Sequence, residues 1–140
     1  MAKGQFSLVV ALYNVAEYVP AFLKSLEVQT YPVDDLDIVV INDGSTDESA
    51  ALVAQWAQGR ANVRLVNKTN GGPGSARNAG LDLVSNTWVT FCDPDDAFHP
   101  QYFQRIAEFI SRDTRQSARA QRYYSPRRQD ALRLLRSYSA

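Results

Sequence analysis

The chain has 140 residues, of which 45% are hydrophobic, and this suffices for one globular domain but not for a second complete one. Its one cysteine, Cys92, excludes an internal disulfide, and no apolar run approaches the ~18 residues that a membrane-spanning helix needs. The net charge of 0 hides an asymmetry, because residues 1–111 carry 7 Lys or Arg against 13 Asp or Glu, and residues 112–140 carry 8 Arg against 2 Asp. We expect a cytoplasmic protein with an acidic body and a basic tail.

The first predicted elements are a strand over residues 6–12 and a helix over residues 20–29. The strand is a nearly continuous apolar run, which is typical of a strand buried on both faces of a parallel sheet. Pro20 suits the first turn of a helix, and Phe22 and Leu23 have the spacing of a core-facing stripe.

A second strand is predicted over residues 37–41, followed by a helix that begins near Ser45. Ser45 and Glu48 have the spacing of a capping box, and Gly59 marks the end of this helix. Between strand and helix stand Asp43 and Gly44, a pair that is typical of a tight turn.

A third strand over residues 63–66 leads into a glycine-rich loop at residues 67–74. A helix over residues 75–84, which carries Arg77, follows the loop. The loop is either a flexible connection or one wall of a binding site.

The fourth strand, over residues 87–92, ends in the acidic run Asp93-Pro94-Asp95-Asp96, and a helix is predicted over residues 100–111. Asp and Pro are common turn formers, so the run has a structural explanation. Carboxylates are also ligands that suit Mg²⁺ or Mn²⁺, and a cation held by one or two of them keeps positions open for phosphate oxygens.

Alternating strands and helices of these lengths predict an α/β architecture with a mostly parallel sheet flanked by helices. Ligands in such sheets bind beyond the carboxyl ends of the strands. Polar or aromatic residues follow strands one, two and four, and the glycine-rich loop follows strand three. Their meeting at one sheet edge predicts a binding site.

Two phosphate-binding motifs fail here. Residues 72–77 place Arg77 where a dinucleotide fingerprint needs its last glycine, and they follow the third strand. A Walker loop would need Gly-Lys-Ser/Thr, which does not follow.

Four segments in this order resemble family 2 glycosyltransferases: residues 7–14 (SLVVALYN), 39–47 (VVINDGSTD), 70–80 (NGGPGSARNAG) and 91–96 (FCDPDD). The similarity extends over about residues 5–110. It implies a Rossmann-like GT-A fold, a nucleotide-diphosphate sugar donor, favoured as UDP-type, and Mn²⁺ or Mg²⁺ on a DXD-type motif. The implied acceptor is a glycan, lipid or polymer, as in polysaccharide biosynthesis.

The resemblance also implies roles for individual residues. Ala11, Leu12, Tyr13 and Asn14, with Asp43 and Gly44, would form the nucleobase side of the site, where Asp43 accepts a hydrogen bond from the base. Arg77 would close the nucleotide side. Asp93, Pro94 and Asp95 would meet the donor, with Asp95 and Asp93 as metal ligands and Asp96 in support.

Two departures from the family pattern are mild: Ala11 stands where proline is frequent, and Asn42 where a first aspartate is frequent. The resemblance further implies an inverting single displacement by a hydroxyl that a carboxylate base deprotonates. Family members usually carry this base beyond the DXD segment, in an acceptor-binding half, and we expect that half to be missing here because no matching motif follows Ser111. We assign no base, and a nucleotide-sugar-binding fragment without transfer remains the alternative.

We divide the chain into a nucleotide-sugar-binding domain at residues 1–111 and an arginine-rich tail at residues 112–140. The tail composition favours disorder or a solvated extension, with a short amphipathic helix over residues 131–138. By charge alone it could contact a membrane surface on the cytoplasmic face, and we expect no specific nucleic acid partner. An interaction module led by this tail, and a tail foreign to the fold, also stay open.

Overall fold

The computed structural model describes residues 6–112, 121–123 and 132–134. Strands and helices alternate along most of this part of the chain. The strands are β1 (Phe6–Leu12), β2 (Asp37–Asn42), β3 (Val63–Asn67), β4 (Trp88–Cys92), β5 (Gln121–Tyr123) and β6 (Leu132–Leu134). The helices are α1 (Val19–Glu27), α2 (Ser49–Ala57), α3 (Pro73–Leu81) and α4 (Tyr102–Arg112), with a 3-10 turn at Val33–Asp35.

These strands form one mostly parallel sheet in the order β3-β2-β1-β4-β6-β5. The pairs β1–β2, β2–β3, β1–β4 and β4–β6 are parallel, and β5 pairs antiparallel with β6. The chain moves outward from β1 to β3 and then returns to the other side of β1. The predicted α/β architecture is confirmed, and the reversal between β1 and β4 is the place where such sheets bind ligands.

The core lies on both faces of the sheet. On one face, α1, α2 and α4 pack on alternate residues of β1, including Leu8 and Val10. On the other face, α3 packs on Val9 and on Val39 and Ile41 of β2. Burial on both faces explains why the β1 sequence is a continuous apolar run rather than an alternating one.

Gly80 sets the distance between α3 and the sheet. A Cβ atom at Gly80 would lie 2.3 Å from Cγ1 of Val9, which is far inside van der Waals contact. The helix therefore approaches β1 more closely than any larger residue would permit. This packing fixes the direction of α3, whose amino end reaches the carboxyl edge of the sheet.

Two local predictions were wrong. Helix α2 begins at Ser49, and Asp47 Oδ1 accepts a hydrogen bond of 2.9 Å from the Ser49 amide, so Ser45 and Glu48 form no capping box. In the tail, Leu132–Leu134 is a strand where a helix was predicted, because it pairs with Trp88 and Val89 of β4. The rest of that predicted helix lies outside the described residues. No helix in the described ranges is both long and apolar enough to cross a membrane.

Candidate functional site

A cavity of about 450 Å³ opens at the carboxyl edge of the sheet, beside the reversal between β1 and β4. Its size is typical of sites for small molecules. Segments that follow β1, β2, β3 and β4 all contribute to its wall, which consists of Ala11, Leu12, Tyr13, Val15, Asp43, Asn70, Gly72, Pro73, Ala76, Arg77, Asp93, Pro94 and Asp95. Of the residues predicted to bind the nucleotide sugar, Asn14 and Gly44 do not line the cavity.

Asn14 instead ties two loops together beneath it. Its backbone has a left-handed φ of 49°, which asparagine tolerates better than most residues. Its Oδ1 accepts hydrogen bonds from the amides of Thr46 (2.8 Å) and Asp47 (3.3 Å), and its own amide donates to Ser45 Oγ (3.1 Å). These hydrogen bonds hold the loop after β1 against the loop after β2. The neighbouring residue Tyr13 lies on the cavity wall and is 50% exposed.

Asp43 lies at the end of β2 with its side chain only 4% exposed. Its Oδ1 accepts from Lys68 Nζ and from the Gly71 amide, and its Oδ2 accepts from the Gly72 amide, each at 2.9 Å. Burial by itself raises the pKa of Asp43, but these hydrogen bonds and the charge of Lys68 outweigh it and hold that pKa below its ordinary value. The site therefore contains a fixed, ionised acceptor.

Two glycines, Gly72 and Gly44, allow the glycine-rich loop to pack close to the end of β2. Gly72 has φ 92° and ψ 168°, a conformation that is open almost only to glycine. Gly44, with φ 78°, lies so close to the loop that a Cβ there would be 3.0 Å from the Asn70 amide nitrogen. Gly44 thus shapes the site without lining it, because it lets Asn70 reach the cavity wall.

The acidic run after β4 is both a turn and a cluster of carboxylates. The Asp96 amide donates to the Asp93 carbonyl (3.0 Å), which closes the turn. The turn brings carboxylate oxygens of Asp93, Asp95 and Asp96 within 4.8 Å of one another. Asp93 and Asp95 line the same cavity as Asp43, and Asp96 borders a neighbouring pocket. Three hard oxygen donors at this spacing fit a divalent cation such as Mg²⁺ or Mn²⁺.

Arg77 links the glycine-rich side of the cavity to the acidic run. Its Nη2 lies 3.3 Å from Asp93 Oδ1, and the side chains are 41% and 50% exposed. An exposed pair of this kind adds little stability. It does put a guanidinium, which suits phosphate oxygens, next to the carboxylates.

Cys92 and His99 lie near the acidic run, and neither has the surroundings of a reactive group. Burial, followed by the charges of Asp93, Asp96 and Asp95, raises the pKa of the Cys92 thiol well above its ordinary value, so the thiol stays protonated. His99 Nδ1 accepts from the Gln101 amide (3.1 Å) just before α4, at the entry to that helix.

Comparison with known proteins identifies the family. The sequence profile of "Glycosyl transferase family 2" matches residues 7–138. The chain belongs to glycosyl transferase family 2. Among its relatives, EpsJ of Bacillus subtilis (strain 168), named as an uncharacterised glycosyltransferase, is 35% identical over 102 residues, which are 73% of this chain and 29% of EpsJ.

Two solved structures share the fold. Staphylococcus aureus TarS 1-349 in complex with UDP-GlcNAc superposes with a TM-score of 0.70 at 32% identity, covering 76% of this chain and 31% of that one. The mannosyltransferase PcManGT of Pyrobaculum calidifontis, solved with GDP-Man and Mn²⁺, gives 0.71 at 24% identity and covers 81% and 34%. The fold is therefore the predicted GT-A fold, and this family 2 chain spans about a third of the length of these relatives.

Sequence reasoning missed several residues of the cavity. Asn70, Ala76 and Val15 line the cavity. Lys68 does not line it but contacts Asp43, which does. The glycine-rich pattern indicated the segment that contains Lys68 and Asn70, but not the direction of their side chains. Val15 and Ala76 are small apolar residues that carry no chemical signal in the sequence.

Proposed function

We propose that this chain carries the donor-binding part of a glycosyltransferase that moves a sugar from a UDP-type nucleotide-diphosphate sugar to a glycan, lipid or polymer acceptor. The observation that carries the proposal is the meeting of Asp43, Asp93 and Asp95 around one cavity at the carboxyl edge of the sheet. The UDP-GlcNAc complex of TarS, at 32% identity, supports the choice of donor class.

The cavity supports a division of labour among its walls. Asp43, held ionised, would accept a hydrogen bond from the nucleobase, and the Tyr13 ring with the Ala11–Leu12 backbone would cover the face of the base. Arg77 would meet the nucleotide on the glycine-rich side. Asp93 would contact the ribose or the sugar.

The acidic run suits a cation that faces the diphosphate. Asp95 and Asp93 would hold Mn²⁺ or Mg²⁺, with Asp96 in support. When bound, such a cation would neutralise the charge that develops on the nucleoside diphosphate leaving group. Arg77, next to Asp93, would add a second positive charge on the same side.

We further propose an inverting single displacement, in which an acceptor hydroxyl attacks the sugar carbon as the diphosphate leaves. This step needs a carboxylate base, and no residue in the described ranges is assigned to it. The two carboxylates of the tail, Asp113 and Asp130, lie outside those ranges. Peripheral membrane contact through the arginine-rich segment stays a prediction for the same reason.

A nucleotide-sugar-binding chain without transfer is the second candidate. One observation favours it: every residue of the proposed donor site lies between Ala11 and Asp96, so the proposed binding uses no residue outside this range. The two candidates agree on the donor site and differ only in turnover.

A paired experiment tests the proposal. The chain is incubated with Mn²⁺ and a panel of nucleotide sugars, and thermal stabilisation and released nucleoside diphosphate are both followed. We expect a UDP-sugar to stabilise the chain in the presence of Mn²⁺, as any ligand that binds only the folded state does. Without an added acceptor, UDP is released only when water takes the sugar. Stabilisation with this release supports the transferase, and stabilisation without release supports the binding chain.

The matched variants are Asp95→Asn and Asp34→Asn. Asp34 is an aspartate outside the site whose side chain is 81% exposed. The first change should abolish metal-dependent stabilisation, and the second should leave it intact. Unaltered metal dependence in Asp95→Asn would contradict the assigned metal site.

A further inference from the structure

The pairing of Lys68 with Asp43 stands out among the contacts around the cavity. The Lys68 side chain is 23% exposed, far less than is usual for lysine, and its Nζ lies 2.9 Å from Asp43 Oδ1 and 2.7 Å from the Thr69 carbonyl. Burying an ammonium next to a buried carboxylate removes both from water, so each depends on the other. A residue that serves only as a surface charge has no need of this position.

The carboxylate of Asp43 is also the anchor of the glycine-rich loop. The Gly71 and Gly72 amides donate to its two oxygens at 2.9 Å each. Consecutive amides around one anion form a nest, and here the anion belongs to the protein itself. Because Gly72 lines the cavity, its hydrogen bond to Asp43 holds this part of the cavity wall in place.

Lys68 is tied to this arrangement at its backbone as well. Its amide donates to the Asn42 carbonyl (2.9 Å), and Asn42 Nδ2 donates to Asn67 Oδ1 (2.9 Å). The ends of β2 and β3 are thereby joined just below the carboxylate. A Cβ at Gly71 would lie 3.0 Å from Lys68 Nζ, so the loop packs directly on the ammonium.

We infer that Lys68 is a positioning residue for the donor site. Its ammonium holds the carboxylate of Asp43 in place, and through Asp43 it fixes the Gly71 and Gly72 amides, of which Gly72 lines the cavity. The inference rests on the proposed function, because it assumes that this cavity receives a nucleotide. Lys68 itself acts through Asp43 and touches no part of the donor in this account.

The charged groups around Asp43 support this assignment to Lys68. The other charged side chains that line the cavity, Arg77, Asp93 and Asp95, belong to its α3 and β4 sides. Asp47, in the same loop as Asp43, is bonded instead to the amides of Ala16 and Ser49. Among the described residues, Lys68 is the cation in contact with Asp43.

The test compares Lys68→Met, Lys68→Arg and Lys24→Met in the full chain. Methionine keeps a long apolar stem but has no charge, arginine restores the charge, and Lys24 is an exposed lysine of α1 outside the site. Three readouts are followed: the pKa of the Asp43 carboxyl by ¹³C NMR, hydrogen exchange of the Gly71 and Gly72 amides, and the Kd for UMP without metal. A thermal melt shows that each variant is folded.

We expect Lys68→Met to raise the pKa of Asp43 and to speed exchange of the two glycine amides by ~10-fold or more. The UMP Kd should rise by about 10-fold, since a charge-assisted hydrogen bond is lost behind the base-binding acceptor. Lys68→Arg should recover most of each change, and Lys24→Met should match the wild type. An unchanged Asp43 pKa together with unchanged glycine exchange in Lys68→Met would overturn the inference.

Two further outcomes are decisive. If the wild type binds no UMP, the proposed nucleotide site fails, while the pKa and exchange measurements still decide the role of Lys68. If Lys68→Met does not fold, Lys68→Gln replaces it, because glutamine keeps a hydrogen-bond donor without the charge. That variant should raise the pKa of Asp43, and an Asp43 pKa equal to that of the wild type would count against Lys68.

Discussion

Strand β2 has a hydrogen-bonded aspartate at each end, and the two aspartates differ in their surroundings. Strand β2 begins with Asp37 at the amino edge and is followed by Asp43 at the carboxyl edge. Asp37 accepts from Ser7 Oγ (2.7 Å), from the amide (3.1 Å) and Oγ (3.0 Å) of Ser85, and from Arg64 Nη2 (2.9 Å). Asp43 accepts from one lysine and two glycine amides. Both carboxylates are held by several donors, and Asp43 also borders the cavity at the carboxyl edge.

The difference lies in where the donors come from. At the amino edge the side-chain donors belong to strands β1 and β3, and Ser85 lies on the short connection into β4. The hydrogen bonds to Asp37 therefore join these neighbouring segments directly. At the carboxyl edge two donors are the amides of a glycine-rich loop, which arches over the sheet and leaves about 450 Å³ beneath it. Similar hydrogen bonding thus joins strands at one edge and shapes a cavity at the other.

The largest effect on stability is expected at the amino edge. Asp37→Asn removes the ion pair with Arg64 and turns an NH₂ group toward donors, so the free energy of unfolding should fall by about 3 kcal/mol. Urea denaturation measures this loss. The Kd for UDP should not change, and a large change in Kd would break the proposed separation of the two edges.

A change at Gly80 tests how α3 links the core to the carboxyl edge. Gly80→Ala pushes a methyl group against Val9 and should lower the free energy of unfolding by ~2 kcal/mol. Gly74→Ala, in the same helix with nothing within 4 Å of its added Cβ, is the matched control and should be neutral or slightly stabilising. Equal losses in the two variants would mean that close packing at Gly80 is not the cause.

Acid should weaken both edges. At Asp37, burial raises the pKa, but the bonds from Ser7 and Ser85 and the charge of Arg64 outweigh it, so the pKa is lowered, as it is at Asp43. Carboxylates with lowered folded pKa values contribute stability that is complete above the ordinary aspartate pKa and lost as pH falls through the folded one, at about 1.4 kcal/mol per pKa unit. Denaturation at pH 7 and pH 3 should show this loss, with a smaller loss in Asp37→Asn.

The smallest stability effect is expected for the exposed ion pair between Arg77 and Asp93. Arg77→Gln removes the exposed contact with Asp93 and should change the free energy of unfolding by less than about 1 kcal/mol. The same variant should weaken UDP binding, because Arg77 is proposed to meet the nucleotide. Denaturation and calorimetry on one sample separate the two effects, and a stability loss without an affinity loss would make Arg77 a structural residue.

The regular part of the fold could be predicted from the sequence because its signals are local. Buried parallel strands such as Phe6–Leu12 read as apolar runs, and the rule that ligands bind beyond strand ends brought Asp43, Asp93 and Asp95 together. Family resemblance added the GT-A fold, which the comparisons confirm. The roles of the individual site residues stay predictions.

Other features depend on contacts between distant segments. Lys68 reaches Asp43 only because Asn42 and Asn67 are paired in the β2–β3 register. Ser45 looked like a helix cap, but Asn14 holds that loop in another conformation through Ser45 and Thr46. The strand at Leu132–Leu134 pairs with β4. The sequence of the tail contains no pattern that predicts this pairing.

The most direct test of the central claim is a Mn²⁺ titration followed by NMR, with and without UDP. Paramagnetic broadening locates a bound Mn²⁺ ion by its distance to each amide. The account predicts broadening centred on residues 93–96 that strengthens when UDP is added and spreads to Tyr13 and Gly72 across the cavity. Broadening centred elsewhere, such as at the exposed Asp34, with no response to UDP, would contradict it.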